Sequence, residues 1–240
     1  MSVEILGVKT DKIDLPGALL QIFNYLKRPG QNLIVTVNPE FILEAQKNVE
    51  FRNALNSARL STADGVGLIF AARILKNEKL FRVTGVDLTR SLLTNCSDAK
   101  IYLLGGAEGV AKAVRKRYPE VRIVGAESGG KLKTEKWELE DNEAVIKRIN
   151  DSGANLLLVA FGQVKQELWI KANLANMPNI KVAIGIGGTF DFLAGRMRRA
   201  PKWMRQLGLE WLYRLIKEPR RWKRIWRAVV VFPLTILLKK

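Results

Sequence analysis

Leu156-Leu157-Leu158-Val159-Ala160-Phe161-Gly162-Gln163-Val164-Lys165-Gln166-Glu167 holds the pattern that decides the fold. Five apolar residues are too few for a helix but suit a strand buried on both faces, and the glycine and polar run behind them read as a turn into a helix. The pattern recurs along the chain. Leu33–Val37, Ile101–Leu104, Arg122–Val124 and Val182–Ile186 read as further strands. Pro39–Asn48, Glu108–Arg117, Lys165–Asn176 and the segment from Phe190 onward read as helices, with another from near Val66 through Leu68–Leu75. Such alternation predicts an α/β fold, a parallel sheet covered by helices. Ser128–Asn142, with glycines and alternating charges, is the expected looser connection. The 240 residues suit one α/β domain, residues 1–195, with an appendage at residues 196–240.

There is no histidine, which excludes Ser-His and Cys-His catalysis, a histidine base and most zinc or iron ligand sets. Cys96 is the single cysteine, so neither an intramolecular disulfide nor a thiolate cluster can form, and it reads as an ordinary thiol. Met1 to Leu20 carries Glu4, Asp11 and Asp14 and lacks a signal-peptide apolar core, so a cytoplasmic protein is expected.

The net charge of +17 is concentrated at one end. Residues 196–240 hold fourteen Lys or Arg against Glu210 and Glu218, which is +12 of the total. Trp203, Trp211, Tyr213, Trp222 and Trp226 are interleaved with these cations, and the apolar run Ala228–Leu238 follows. Aromatic rings sit well at headgroup depth, and basic clusters attract anionic lipid. This run of eleven residues, with Pro233 inside it, is too short to span a bilayer, which needs about 20 apolar residues. The tail therefore reads as an interfacial helix on an anionic membrane surface, or as a core-packing helix with a solvated basic face. Nucleic-acid binding is a rival for the same composition, but the apolar terminus has no use in it. Closure of a homo-oligomer interface by the tail stays open.

Ligands in open α/β sheets bind beyond the carboxyl ends of the strands, which directs attention to the turns. Gly105, Gly106 and Gly109, between a strand and a helix, read either as a nucleotide turn or as tight packing, and Gly187 and Gly188 carry the same two readings. In Ser61-Thr62-Ala63-Asp64-Gly65-Val66-Gly67, Asp64 reads as a general base for a sugar hydroxyl or as the cap of the helix beginning near Val66. Gln163-Val164-Lys165-Gln166-Glu167 offers amides for sugar hydroxyls or a uracil edge, or forms a solvated helix start.

Together these segments resemble the WecG/TagA/CpsF glycosyltransferase family from about Val3 to Arg227. The resemblance is carried by Thr36-Val37-Asn38, Ala63-Asp64-Gly65, Arg82-Val83-Thr84-Gly85-Val86-Asp87, Leu103-Leu104-Gly105-Gly106, Tyr118-Pro119, Gly162–Glu167, Gly187-Gly188-Thr189-Phe190-Asp191, Arg199-Ala200-Pro201, and Leu209–Arg214 with Glu218–Arg221. Val164 departs from the proline usual there, which implies a less rigid backbone. The resemblance implies a Rossmann-like core with helices on both faces and an inverting transferase needing no metal or other cofactor. Its donor would be UDP-N-acetylmannosamine, or in relatives the uronic acid or glucose. The acceptor would be N-acetylglucosamine linked through diphosphate to undecaprenol, giving the linkage-unit disaccharide of teichoic acid. It also implies Asp64 as general base, with Thr36 and Asn38 lining the sugar pocket and Gln166 contacting a sugar. Arg82 would steady the pocket or the leaving diphosphate, and Arg214, Arg221 and Arg224 would neutralise that diphosphate. The enzyme would sit peripherally on the inner face of the cell membrane, its tail folding over the pocket only at the bilayer. A transferase acting on a soluble acceptor and a non-catalytic binding module are the rival functions.

Overall fold

The computed structural model describes residues 1–96, 98–133 and 137–239, so part of the expected looser connection and Lys240 lie outside the described residues. A hairpin of β1 (Ser2–Ile5) and β2 (Val8–Asp11) leads into α1 (Leu15–Lys27). There follow β3 (Asn32–Val37), α2 (Pro39–Ala45), α3 (Val49–Asn56), β4 (Leu60–Ala63), α4 (Val66–Lys76) and α5 (Gly85–Asn95). The second half continues with β5 (Ile101–Gly105), α6 (Val110–Arg117), β6 (Ile123–Glu127), the short pair β7 (Leu132–Lys133) and β8 (Glu138–Leu139), and α7 (Asn142–Asp151). Then come β9 (Leu156–Ala160), α8 (Lys165–Asn173), β10 (Val182–Gly185) and α9 (Thr189–Leu193). The tail forms α10 (Lys202–Gln206), α11 (Glu210–Lys217), α12 (Trp222–Trp226), a π-helical stretch Arg227–Val231 and α13 (Phe232–Leu238).

All five expected strands form, and they build a six-stranded parallel sheet in the order β4-β3-β10-β9-β5-β6. The sheet has a sixth strand, β4, beyond the five expected: Ser61 and Thr62 in its middle look like turn residues, although both are buried. Strand side chains alternate between two cores: Leu157 and Val159 of β9 join one cluster, Leu156 and Leu158 the other. The first cluster includes residues of α2, α3, α4, α7 and α8, and the second residues of α1, α5, α6 and α9, so helices cover both faces as expected.

Local chemistry sets the helix boundaries. The expected Pro39–Asn48 helix ends early, at Ala45, and Asn48 instead caps a further helix, α3, its Oδ1 accepting from Phe51 N–H at 2.9 Å. Gly105 has φ +106°, and a Cβ there would sit 2.7 Å from the carbonyl carbon and oxygen of Ala160, so β5 and β9 approach this closely only through glycine. Those two strands feed helices on opposite faces, α6 and α8, which opens a crevice beyond their carboxyl ends.

The tail is docked on this core. Phe232 and Ile236 are fully buried in the first cluster, Phe232 lying against the glycine face of α4 at Gly67. Leu234, Leu237 and Leu238 on the other side of the same helix stay exposed. The run Ala228–Leu238 thus packs on the core along one face and presents apolar surface along the other. Phe232→Ala is expected to cost about 3–4 kcal/mol, lowering the midpoint of thermal unfolding by roughly 6–15 °C in calorimetry.

Candidate active site

Asp64 follows β4 directly, and its N–H donates to Val37 O at 2.6 Å, so the sheet ladder fixes its backbone. It does not cap α4: Gly65 occupies the cap position and makes no side-chain cap bond. Instead Asp64 Oδ2 accepts the N–H of Gly85, the first residue of α5, at 3.1 Å. The chain reaches α5 through Arg82-Val83, which pair with Ala63 along the outer side of β4. Thus a residue 21 positions away presents the positive end of a helix to the carboxylate.

A side chain at Gly85 would meet Thr36 Oγ1 at 3.4 Å, Thr189 Oγ1 at 3.6 Å and Asp64 Oδ2 at 3.8 Å. Three oxygens, from the ends of β3 and β4 and the start of α9, therefore converge on the place of the missing side chain. Neither Gly85 nor Thr189 was singled out from the sequence, although both lie in motifs that were. Gly85→Ala leaves the helix start intact but fills this recess. It is expected to cut turnover at least about tenfold with an unfolding midpoint near wild type, checked by kinetics beside thermal melts.

Burial pushes the Asp64 carboxyl above its ordinary value, and Glu210 adds to the effect. The Gly85 N–H, Arg82 and Arg214 pull the other way without reversing it. Asp64 nevertheless keeps part of its surface open. A partly accessible carboxylate with raised proton affinity, set among cations, can accept a proton from a bound hydroxyl.

Asn38 caps α2, its Oδ1 accepting from Phe41 N–H at 3.0 Å, which leaves its amide nitrogen as the group available to a ligand. Gln166 is buried: its Oε1 accepts from Gly187 N–H at 2.9 Å and its Nε2 donates to Glu167 Oε1 at 2.6 Å. Gln166 therefore shapes the Gly187 turn beside the site. Burial pushes Glu167 up to about 7, and its Oε2 accepts from Val164 N–H at 2.8 Å. Val164 has φ +73°, a conformation closed to proline, so the departure at this position comes with a different turn and an additional N–H donor.

At the other turn, Gly105 is accounted for by packing, and Gly106 N–H is taken by Ala160 O at 2.9 Å. Any anion there meets residues 107–109, where α6 begins, rather than those two amides. Among the described residues no group of three or more His, Cys, Asp or Glu could hold a metal ion. The charges facing Asp64 are guanidinium groups and Glu210.

The sequence profile of the Glycosyl transferase WecG/TagA/CpsF family matches residues 3–240. The chain belongs to this family. It is 33% identical over 220 residues to a Bacillus subtilis (strain 168) protein named N-acetylglucosaminyldiphosphoundecaprenol N-acetyl-beta-D-mannosaminyltransferase, covering 89% of this chain and 82% of that one. A Bacillus spizizenii protein of the same name is 31% identical over 207 residues, covering 84% and 77%.

For a glycosyl transferase the tail arginines are the groups to place next. Arg214, on α11, lies 4.8 Å from the Phe192 ring centroid, and its buried Nε has no hydrogen-bond partner among the described residues. Burial and the nearby Arg221 charge both lower its proton affinity. Arg221 pairs with Glu218 at 3.1 Å and lies against Gly188, its Nη2 3.9 Å from where a Cβ would stand. Arg224 is held by Glu40, with contacts of 2.7–3.2 Å, and by Gln163 at 2.9 Å. The charges of Arg214 and Arg82 thus act on Asp64, Arg221 stands at the neighbouring Gly188 turn, and Arg224 binds Glu40 and Gln163 of the core.

Proposed function

We propose that this glycosyl transferase moves N-acetylmannosamine from UDP-N-acetylmannosamine to N-acetylglucosaminyl-diphospho-undecaprenol, with inversion and without a metal, forming the teichoic acid linkage-unit disaccharide. The names of the two Bacillus relatives support the sugar and the acceptor. The observation that carries the mechanism is the recessed Asp64 carboxylate facing Arg82 and Arg214. Asp64 takes the proton of the acceptor hydroxyl as its oxygen bonds to the anomeric carbon. The bond from that carbon to the UDP oxygen breaks, and UDP leaves with the electron pair. Arg214 and Arg221 neutralise the departing diphosphate, the task a bound cation performs elsewhere. Thr36 and Asn38 line the sugar pocket, and Gln166 with Gly187 and Gly188 shapes its wall. Residues 105–109 receive the nucleotide at the β5–β9 crevice. In this reading residues 1–195 are the catalytic domain, and residues 196–240 complete its site.

Among the described residues no helix is long and apolar enough to cross a membrane. Exposed Trp203, Trp222, Trp226, Leu234 and Leu237, on a tail rich in cations, fit peripheral attachment to an anionic bilayer, where the lipid acceptor resides. The same exposed residues also fit a homo-oligomer contact. Sedimentation with and without anionic vesicles separates the two.

The test is UDP release from UDP-N-acetylmannosamine with a prenyl-diphospho-N-acetylglucosamine analogue in the presence of EDTA. Turnover under these conditions supports the reading. Turnover only with another UDP-sugar keeps the mechanism and replaces the donor, and none with any UDP-sugar overturns it.

A further inference from the structure

The tail carries two carboxylates that behave differently. Glu218 turns to Arg221 in its own segment, whereas Glu210 reaches into the core. Glu210 Oε2 lies 2.7 Å from Arg82 Nη2 and 3.3 Å from Arg199 Nη2, and its Oε1 is 3.2 Å from Arg199 Nε. Arg199 continues the chain to Asp87 on α5. The other end of the Arg82 fork, Nη1, donates to Arg205 O at 2.6 Å. Both terminal nitrogens of this core arginine are thus held by the tail, while its buried Nε has no partner among the described residues. Arg82 pairs in register with Ala63, the residue before Asp64. Glu210 and Arg214 are one helical turn apart, so α11 brings an anion and a cation to the site on the same face.

We propose that Glu210 is a positioning residue for transfer: carried in by the tail, it holds Arg82 beside the pocket and sets the balance of charge around Asp64. The inference rests on the reading of Asp64 as the base.

The groups facing Asp64 are the Gly85 N–H and Arg82 from the core, and Glu210 and Arg214 from α11. Of these only Glu210 raises the proton affinity of Asp64, and it also occupies one end of the Arg82 guanidinium. Removing its charge leaves Arg82 less compensated, so both consequences lower that affinity. A base must be ionised to act, and turnover falls as pH drops through its pKa. Loss of the Glu210 charge therefore moves the acid limb to lower pH. A contact that merely held the tail in place would alter the rate or the melting temperature and leave the limb where it was.

The experiment is kcat against pH for the full chain and for its Glu210→Gln and Glu210→Asp variants, with KM for the donor and thermal melts alongside. Glu210→Gln is expected to shift the acid limb down by about half a unit to one unit and to lower kcat at neutral pH about tenfold. Glu210→Asp keeps the charge and is expected to hold the limb at the wild-type pH, whatever its shorter side chain does to kcat. A wild-type limb that both variants reproduce overturns the proposal, as does a parallel fall in kcat and melting temperature with no movement of the limb. Absence of any acid limb in the wild type overturns the base assignment itself, and this inference with it.

Discussion

Asp64→Asn is expected to lower kcat by about a thousandfold and to leave the protein folded. The asparagine oxygen can still accept the Gly85 N–H, so the recess keeps its shape while the site loses its proton acceptor. The sign of the stability effect follows from linkage. Asp64 has its proton affinity raised in the folded state, chiefly by burial, so the folded protein binds this proton more tightly than the unfolded chain. The stability that goes with this proton is fully present below the unfolded pKa and is lost as pH rises through the folded one. At neutral pH the buried charge opposes folding, and the neutral asparagine is expected to melt at the wild-type temperature or above it. The wild type should lose turnover on its acid side above the ordinary carboxylate range. Turnover within tenfold of wild type in Asp64→Asn would remove Asp64 from the role of base.

Arg214→Gln is expected to cost about a hundredfold to a thousandfold in kcat, the scale for removing one preorganised group that stabilises charge developing in the transition state. Its cation is already desolvated, lies against Phe192, and keeps an unbonded Nε, so it is held ready without being neutralised. Burying such a charge next to Arg221 opposes folding, so the neutral variant should be no less stable than the wild type. Arg214→Lys retains a charge but not the planar fork, and partial recovery is expected. UDP affinity measured calorimetrically should fall in parallel with kcat. Unchanged affinity together with unchanged kcat would show that the diphosphate sits elsewhere.

Much of the framework is set by local pattern. A run such as Leu156–Ala160, apolar throughout and short, admits a strand buried on two faces, and five short strand-like runs alternating with helical segments leave a parallel α/β sheet as the economical packing. The absence of histidine makes a carboxylate the natural candidate for a base, and the family resemblance carried by the motifs from Thr36 to Arg221 implies Asp64 and guanidinium cations for the roles. Where the sequence was ambiguous, the missing quantity was always a distance between segments far apart in the chain. Ser61 and Thr62 look like turn residues until β3 pairs with them. The bonding partner of Asp64 is 21 residues away, that of Arg82 is 128 residues away, and Arg224 reaches Glu40 across 184. Ala228–Leu238 is apolar except for Thr235, so it carries no periodicity to say which face packs; the glycine face of α4 receives Phe232 and leaves Leu234 outside. Hydrophobic periodicity and capping are short-range physics and are written in neighbouring residues. Which carboxylate meets which cation depends on how the sheet orders its strands, and that is settled only when the two cores pack.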